Sequence, residues 1–241
     1  MVTHKLIVIE GSDGSGKKTQ SDILVNKLRQ YNPTAKFSFP DYEGPFGKQV
    51  RHYLDGGFGD PKTFIRLSSF EGINNPGIKE AAFLGELTYI RLSALLYAAD
   101  RAINLPKLQE ALNKGIVVCD RYDISNLAHQ GAKLEGKERR DLINWLKKLE
   151  REDVGLPIPD LVVYLNLPTE KAREAMEVQG RKLDLHEADL DYLVKVNNLY
   201  LELARKENWS IIECLKDSKR KTKEEISEEI FWAVRSIIQL E

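Results

Sequence analysis

The sequence is short of cysteine and of long apolar runs, and each shortage excludes a class of protein. It contains two cysteines, Cys119 and Cys214. Both lie in apolar runs without CxxC spacing or a cluster of histidines, so we expect reduced structural thiols and no zinc site. No stretch approaches the roughly 18 consecutive apolar residues of a membrane span, and the N-terminus leads directly into a short apolar run. These features predict a cytoplasmic protein without a signal peptide or a membrane span.

The sequence also lacks an excess of charge of either sign. Lysine and arginine number 36 against 37 acidic residues, which gives a formal net charge of -1. No overall electrostatic field would therefore attract the chain to nucleic acid or to an anionic membrane, and we expect neither as a partner. Any recognition of phosphate has to come from a local cluster of cations and backbone amides.

Short apolar runs alternate with longer amphipathic stretches along the chain. This alternation predicts an α/β fold, in which a parallel sheet is covered by helices. At 241 residues and 42% hydrophobic composition, we expect one domain over residues 1–241. The predicted strands are Leu6 to Ile9, Ala35 to Phe39, Ile116 to Cys119, Leu161 to Leu165 and Trp209 to Cys214.

Apolar residues at helical spacing predict the main helices. These are Ser21 to Tyr31, Ala81 to Ile103, Leu142 to Leu149 and a last helix from Glu224 onward. The basic run from Lys219 to Lys223 is typical of a solvated helix entrance. The polar segment from Gly180 to Leu190 lies between two predicted helices and could be a lid that closes over substrate.

The strongest motif is a glycine-rich loop of the GxxxxGK type between a predicted strand and a predicted helix. Its glycines allow backbone N–H groups to surround a polyphosphate, and the helix that begins near Lys17 adds the positive end of its dipole. Lys17 itself can reach the β- and γ-phosphates of ATP. The motif predicts a P-loop that binds ATP through Gly11, Ser12, Asp13, Gly14, Ser15, Gly16, Lys17, Lys18 and Thr19.

One position of this loop departs from the usual pattern. The residue after the lysine is normally a Ser or Thr whose hydroxyl binds Mg²⁺, and here it is Lys18, with Thr19 one residue later. An ammonium group cannot bind a cation. The Mg²⁺ that accompanies ATP must then be held by phosphate oxygens, waters and a carboxylate elsewhere, or catalysis is weakened.

Polar residues follow the third predicted strand directly. Ligands of open parallel sheets bind beyond the carboxyl ends of the strands, and Asp120, Arg121 and Tyr122 occupy this place. The carboxylate of Asp120 can orient a water bound to the metal, and Arg121 can hold an acceptor phosphate with two hydrogen bonds. Both residues are therefore catalytic candidates.

Taken in order, the motifs resemble those of the thymidylate kinase family. They are Glu10 to Gln20, Phe39-Pro40, Leu95 to Arg101, Asp120 to Asn126, Gln130-Gly131, Pro159-Asp160 and Arg181 to Glu187. The resemblance implies a P-loop NTPase fold, a three-layer sandwich with a five-stranded parallel sheet, helices on both faces and a small lid at about 180–190. It also implies a homodimer that transfers the γ-phosphate of ATP to dTMP and produces dTDP.

The resemblance assigns the acceptor site as well. Asp13 would accept a hydrogen bond from the 3′-hydroxyl of the acceptor sugar, and Asn126, which follows Ser125, would contact the edge of the base. Tyr97 and Arg101 lie four residues apart, on one face of a helix, where the ring can stack on the base and the guanidinium can donate to O4 of thymine. Such a donor would oppose the amino group of cytosine. Phe39 belongs to the same acceptor site.

In the predicted lid, Arg181 matches the residue with which some members of the family supply a catalytic cation. Transfer between two phosphates needs dense positive charge, which Lys17, Arg121, Arg181 and Mg²⁺ would provide. Lys182, Asp184 and Glu187 either contact the nucleotides or form an ordinary charged surface. Asp120 and Glu187 are the candidate metal ligands.

Two departures leave the choice of acceptor open. Where the family usually has an arginine after Phe39-Pro40, this sequence has Asp41 and Tyr42, and where it has a tyrosine near the sugar, this sequence has His129. Tyr42 can still donate one hydrogen bond to the acceptor phosphate. A kinase for another pyrimidine nucleotide or nucleoside, and a nucleotide-binding protein without catalysis, therefore remain as alternatives. The sequence lacks the residues that are characteristic of a GTPase switch or of a helicase-type motor, so neither function is expected.

Overall fold

The computed structural model describes residues 3–57, 76–178 and 189–238, apart from the side chains of 76–83 and 175–178. At its centre, five parallel strands form one sheet in the order β2-β3-β1-β4-β5. Each strand coincides with a predicted apolar run, and no bound differs by more than two residues. The strands are β1 (Lys5–Gly11), β2 (Thr34–Ser38), β3 (Ile116–Asp120), β4 (Leu161–Asn166) and β5 (Ser210–Glu213).

Helices and one short hairpin connect the strands. The helices are α1 (Lys17–Leu28), α2 (Pro45–Leu54), α3 (Pro76–Lys114), α4 (Asp123–Gly131), α5 (Gly136–Lys147), α6 (Thr169–Val178), α7 (Leu190–Lys206) and α8 (Lys223–Arg235). A π-helical turn, Lys148–Asp153, continues α5. The hairpin joins β6 (Leu215–Lys216) to β7 (Lys219–Arg220).

Alternate residues of each strand point to opposite faces of the sheet, so the chain builds two cores. Leu6, Val8 and Tyr164 pack on one face, under α3, α4, α5 and α7. Ile7, Ile9 and Val163 pack on the other face, under α1 and α8. The predicted three-layer α/β fold with a five-stranded parallel sheet is therefore confirmed.

The predicted helices were shifted or too short. The predicted Ser21 to Tyr31 runs past the observed end of α1 at Leu28. α1 begins at Lys17 rather than Ser21, and α3 extends well beyond both ends of the predicted Ala81 to Ile103, with Pro106 inside it. The apolar stripe marks only the part of a helix that faces the core, so exposed terminal turns give no such signal. Within the three described ranges, no helix combines the length and the apolar character that a membrane crossing needs.

Candidate active site

The loop between β1 and α1 has the backbone that a phosphate-binding loop requires. Gly14 and Gly16 have φ angles of +80° and +102°, which residues with a side chain rarely adopt. The N–H of Ser15 donates to the carbonyl of Ser12 at 3.2 Å, so the loop closes on itself. Gly16 is the N-cap of α1, and no side chain caps this helix end. The first amides of the helix can therefore bind an anion.

Three charged side chains meet beside this loop. The Arg121 guanidinium donates to the Asp13 carboxylate at 2.5 Å, and the Lys17 ammonium lies 3.6 Å from the same oxygen. Lys17 also donates to the carbonyl of Ser12 at 2.8 Å and is 7% exposed. The strand register explains the meeting, because β1 and β3 are neighbours that place Ile9 opposite Asp120, just before Arg121. The predicted halves of the site therefore face each other.

In this cluster, the opposite charges of neighbouring groups act against the effect of burial on each pKa. Burial favours a neutral carboxyl, but the positive charges of Arg121 and Lys17 outweigh it and hold the pKa of Asp13 well below its ordinary value. Burial lowers the pKa of Lys17, and Arg121 adds to that effect, while Asp13 and Asp120 oppose it. The neighbouring carboxylates raise the pKa of Arg121 despite its burial.

A buried glutamate, which the sequence analysis did not select as a site residue, holds Arg121 in place. Glu10 is fully buried and accepts the backbone N–H of Tyr122 at 2.9 Å and the hydroxyl of Ser125 at 2.7 Å. The Tyr200 hydroxyl donates to the same carboxylate at 3.0 Å. Arg121 in turn donates to Ser125 at 3.1 Å. An acidic residue at the end of an apolar strand, next to the P-loop, was the available signal.

One cavity of about 1130 Å³ contains most of the predicted site. It runs from the P-loop residues Asp13 to Thr19, past Asp120 and Arg121, to the predicted acceptor residues. Gly11 and Ser12, at the start of the predicted P-loop, are not among the residues that line the cavity. The acceptor residues along its wall are Phe39, Tyr42, Tyr97, Arg101, Ser125, Asn126 and His129.

The loop after β2 shapes the wall near the predicted acceptor phosphate. Phe39 and Pro40 are joined by a cis peptide bond, and the Phe39 N–H donates to the Asp120 carbonyl at 3.0 Å. The Asp41 carboxylate accepts the Glu43 N–H at 3.3 Å, so it stabilises its own turn. Arg51 of α2 stacks on the Tyr42 ring at 4.0 Å and also lines the cavity. Sequence analysis missed Arg51, since nothing local indicates that α2 folds back onto Tyr42.

The far end of the cavity contains a buried ion pair. Arg101 is 2% exposed and donates to both oxygens of Glu150, through Nε and Nη2, at 2.5 Å each. Asn126 donates to the same carboxylate at 2.8 Å. Tyr97 lies one helical turn before Arg101, and its ring meets that of Tyr53 edge-on at 6.4 Å. Arg101 and Asn126, which were both predicted to read the base, are thus joined by Glu150, which the sequence analysis did not identify.

His129 contacts two tyrosines of α7. Its Nδ1 lies 3.1 Å from the hydroxyl of Tyr192, which also donates to the His129 carbonyl at 2.9 Å. The His129 and Tyr200 rings meet edge-on at 6.2 Å. The imidazole is therefore fixed in the wall of the cavity at the position where the resemblance implies a tyrosine.

The basic run before α8 is more than a solvated helix entrance. Arg220 lies on β7 and donates to the P-loop carbonyls of Gly14 at 2.8 Å and Ser15 at 3.2 Å. Lys221, Thr222 and Lys223 line the adjoining part of the cavity. The run therefore adds cations to the P-loop end of the cavity.

Among the described residues, no group of three or more His, Cys, Asp or Glu side chains could enclose a metal ion. Asp120 is a single carboxylate at the end of β3, beside the P-loop. Mg²⁺ with a nucleotide usually takes one or two carboxylates, waters and phosphate oxygens, so Asp120 fits this requirement. The predicted lid, with Arg181, Lys182, Asp184 and Glu187, lies outside the described residues.

Comparisons with known proteins agree on one family. The sequence model described as "Thymidylate kinase" matches residues 9–74 and 84–226. A probable thymidylate kinase of Methanocaldococcus jannaschii is 31% identical over 237 residues, 98% of this chain and 99% of that protein. The thymidylate kinase of Schizosaccharomyces pombe is 34% identical over 165 residues, 68% of this chain and 61% of that protein.

A solved structure gives the same result. The thymidylate kinase of Candida albicans superposes with a TM-score of 0.68 and 25% sequence identity, over 98% of this chain and 93% of that one. The matched region includes the P-loop, the turn after β3 and the helices that carry the remaining cavity residues.

Proposed function

The chain belongs to the thymidylate kinase family, and on that premise we propose how its residues transfer the γ-phosphate of ATP to dTMP. It is an ATP-dependent nucleoside monophosphate kinase, and its product is dTDP. The relatives do not favour the alternatives of another acceptor or of binding without catalysis. The proposal depends on one observation, namely that Lys17, Asp13 and Arg121 meet inside a single cavity.

In the proposed reaction, an oxygen of the dTMP phosphate attacks the γ-phosphorus in line. The bond between this phosphorus and the oxygen that bridges it to the β-phosphate breaks, and ADP leaves with the bridging electrons. No covalent intermediate with the enzyme forms. Lys17 and the P-loop amides hold the donor phosphates, and Arg121 holds the acceptor phosphate, so mutual repulsion between the anions is offset and the geometry is fixed.

We propose two roles for Asp13 in this arrangement. It keeps the cations of Lys17 and Arg121 apart and oriented while no substrate is bound, because it contacts both. With dTMP in place, we propose that it accepts the 3′-hydroxyl of the sugar. Its depressed pKa keeps it ionised, and therefore an acceptor, over the whole physiological range.

The family uses ATP with a divalent metal, and we propose Mg²⁺. Asp120 would hold it together with phosphate oxygens and waters, and Glu187 remains a second proposed ligand. The ion would supply positive charge to the transferring phosphate. Arg181 remains a proposed catalytic cation on the strength of its sequence position alone.

We propose that Arg51 provides the cation that the sequence lacks at Asp41 and Tyr42. Arg51 lies against the Tyr42 ring and lines the cavity, while Asp41 is engaged in its own turn. A guanidinium already held over an aromatic ring loses little further freedom when it binds phosphate. The acceptor phosphate would thus contact Arg121, Tyr42 and Arg51.

The base would lie between Tyr97, Arg101 and Asn126. Arg101 presents a donor to O4, and the Asn126 side-chain oxygen accepts from N3–H of thymine. This oxygen is buried and has no hydrogen-bond partner within the described part of the chain. A buried acceptor without a partner is costly, and a bound base would satisfy it.

We also propose a homodimer formed through α3. Leu84, Leu92, Leu95 and Ile103 are 41% to 54% exposed, a large exposure for apolar side chains. Their spacing places them on one face of the helix, on the side opposite to Tyr97 and Arg101. A row of exposed apolar side chains of this kind is typical of a surface that another copy covers.

The two cysteines support a cytoplasmic location. Cys119 and Cys214 are both free and buried, and burial raises the pKa of each thiol. Such thiols persist unchanged in a reducing compartment. Fractionation of cells that express the tagged chain tests the location.

An acceptor panel tests the proposed function. Purified protein with ATP and Mg²⁺ is assayed for ADP release with dTMP, dUMP, UMP, dCMP and thymidine. We expect dTMP to have the highest kcat/KM and thymidine to be inactive, because Arg121 needs a phosphate to position. Good turnover of a different acceptor alongside none of dTMP would reject the substrate, and binding of both nucleotides without turnover would reject catalysis.

A further inference from the structure

Glu150 is a buried charge that the phosphoryl transfer itself does not use. It lies in the π-helical turn after α5 and is 1% exposed. One carboxylate receives three donors, two from Arg101 at 2.5 Å and one from Asn126 at 2.8 Å. It therefore joins α3, which carries Arg101, to α4, which carries Asn126.

Glu150 fixes which end of the Asn126 amide is available. The amide nitrogen donates to Glu150 and also to the Ala94 carbonyl at 3.0 Å. The reverse orientation would place the amide oxygen against two acceptors, so it is excluded. Oδ1 is consequently the free end of the amide, and it is the buried atom without a partner in the described ranges.

Glu150 fixes Arg101 in the same way. The carboxylate engages Nε and Nη2 of the planar guanidinium, so Nη1 is the nitrogen that it does not use. Because the group is rigid, two hydrogen bonds along one edge determine where Nη1 points. Arg101 and Asn126 both line the cavity.

We propose that Glu150 is the positioning residue that selects the acceptor base, by presenting one donor from Arg101 beside one acceptor from Asn126. This inference rests on the proposed function. A 4-oxo pyrimidine such as thymine or uracil offers the matching acceptor O4 and donor N3–H. Cytosine offers a donor at C4 and an acceptor at N3, so both contacts would be mismatched.

A purely structural ion pair would not account for the same observations. Burying two charges costs free energy, and an apolar pair of similar size would serve the packing as well. A structural pair would also leave its neighbours satisfied, whereas here the Asn126 oxygen lacks a partner among the described residues.

The decisive variant is Glu150→Gln. A glutamine can donate at one end, so one of the two acceptors that fix the Asn126 amide is lost. The reversed amide, which presents its nitrogen to the base, is then opposed by the Ala94 carbonyl alone. We expect the ratio of kcat/KM for dTMP over dCMP to fall by about 10- to 100-fold, mainly through a higher KM for dTMP. The ratio of dTMP over dUMP should not change, because these bases share O4 and N3–H.

Two further variants complete the test. Glu150→Asp keeps the charge, so it should fold, but its shorter side chain cannot reach both partners and the dTMP/dCMP ratio should again fall. Glu207→Gln breaks the ion pair of Glu207 with Lys147, near the end of α5 and away from the cavity, and should leave the ratio unchanged. Thermal unfolding identifies the folded variants.

A folded Glu150 variant with the wild-type dTMP/dCMP ratio would overturn the proposal. So would an equal loss for dTMP, dUMP and dCMP, since that outcome indicates general destabilisation. If the wild-type chain itself failed to phosphorylate dTMP, the fault would lie with the proposed function instead.

Discussion

Arg121 has a φ angle of +66°, an unusual conformation for a residue with a long side chain. Such backbone costs about 1 to 3 kcal/mol and persists only where surrounding contacts enforce it. The Arg121 N–H donates to the Ile9 carbonyl at 3.0 Å, and Glu10 holds the next residues through Tyr122 and Ser125. The strained turn directs the guanidinium toward Asp13. We infer that the strained backbone serves to position this cation.

Lys18 gives a prediction about the metal. Lys18→Thr restores a hydroxyl and removes an ammonium group that repels cations at the P-loop. We expect the half-saturating Mg²⁺ concentration to fall by about tenfold, with kcat at saturating Mg²⁺ equal or higher. Steady-state assays across Mg²⁺ concentrations measure both quantities. Lys27→Thr is the control, because Lys27 lies on the same helix but is paired with Glu228. A large drop in kcat for Lys18→Thr would instead show that Lys18 takes part in catalysis.

Lys133 gives a prediction about pH. Burial lowers the pKa of Lys133 from 10.5 to about 8, and Glu86 opposes this only in part. Its ammonium donates to the side chains of Gln130 and Tyr53. Above pH 8 the folded state releases the proton before the unfolded state does, so the free energy of unfolding should rise between pH 8 and 10.5.

We expect Lys133→Met to remove this rise, which amounts to about 2 kcal/mol after allowance for the partial exposure of the side chain. Urea unfolding of wild type and variant at several pH values between 7 and 10 measures it. The exposed Lys137→Met should keep the wild-type slope. A Lys133→Met protein with the same slope as wild type would show that the lysine titrates normally.

At the scale of elements, α2 brings Arg51 to the acceptor end of the cavity. We expect Arg51→Ala to raise the KM for dTMP by about tenfold, since a charge-assisted contact to phosphate contributes about 1.5 kcal/mol. The KM for ATP should stay the same. The control is Lys48→Ala, which removes a cation of the same helix that does not line the cavity. An equal rise in the KM for dTMP in both variants would indicate a general charge effect.

The elements also show how far the sequence predicts this fold. The five strands are short apolar runs whose burial is decided locally, so each was predicted to within one or two residues. The P-loop needs glycines at fixed positions, which the motif displays. The short β6–β7 hairpin carries no such pattern, and the predicted helix entrance from Lys219 to Lys223 was only partly right for that reason. α2 does carry an amphipathic pattern after Pro45, with Phe46, Val50 and Tyr53 at helical spacing, and the sequence analysis missed it.

The residues of the candidate site also differ in how far the sequence predicts them. Asp13, Lys17, Asp120 and Arg121 follow strand ends, and the parallel sheet brings strand ends together, so their meeting could be predicted. Glu150 and Arg220 act through contacts with distant segments. Sequence periodicity describes neighbours along the chain, and it contains no information about such tertiary pairs.

At the scale of the whole molecule, the apolar stripe on α3 relates assembly to substrate binding. Leu92 and Leu95 lie on the outer face of the same helix whose inner face carries Tyr97 and Arg101. A partner copy packed on the outer face would restrain the helix against the cavity. Dimerisation should therefore stabilise the acceptor site as well as the fold.

We expect wild type to have the mass of the proposed dimer, twice 27.5 kDa, and Leu95→Glu to be a monomer, because the interface would have to bury an unpaired charge. Size-exclusion chromatography with light scattering measures the mass. The matched control is Trp232→Glu, since Trp232 is 62% exposed but lies on α8. The Leu95→Glu monomer should also show a higher KM for dTMP, because α3 loses its outer support. A Leu95→Glu dimer, or a monomer produced by Trp232→Glu alone, would place the interface elsewhere.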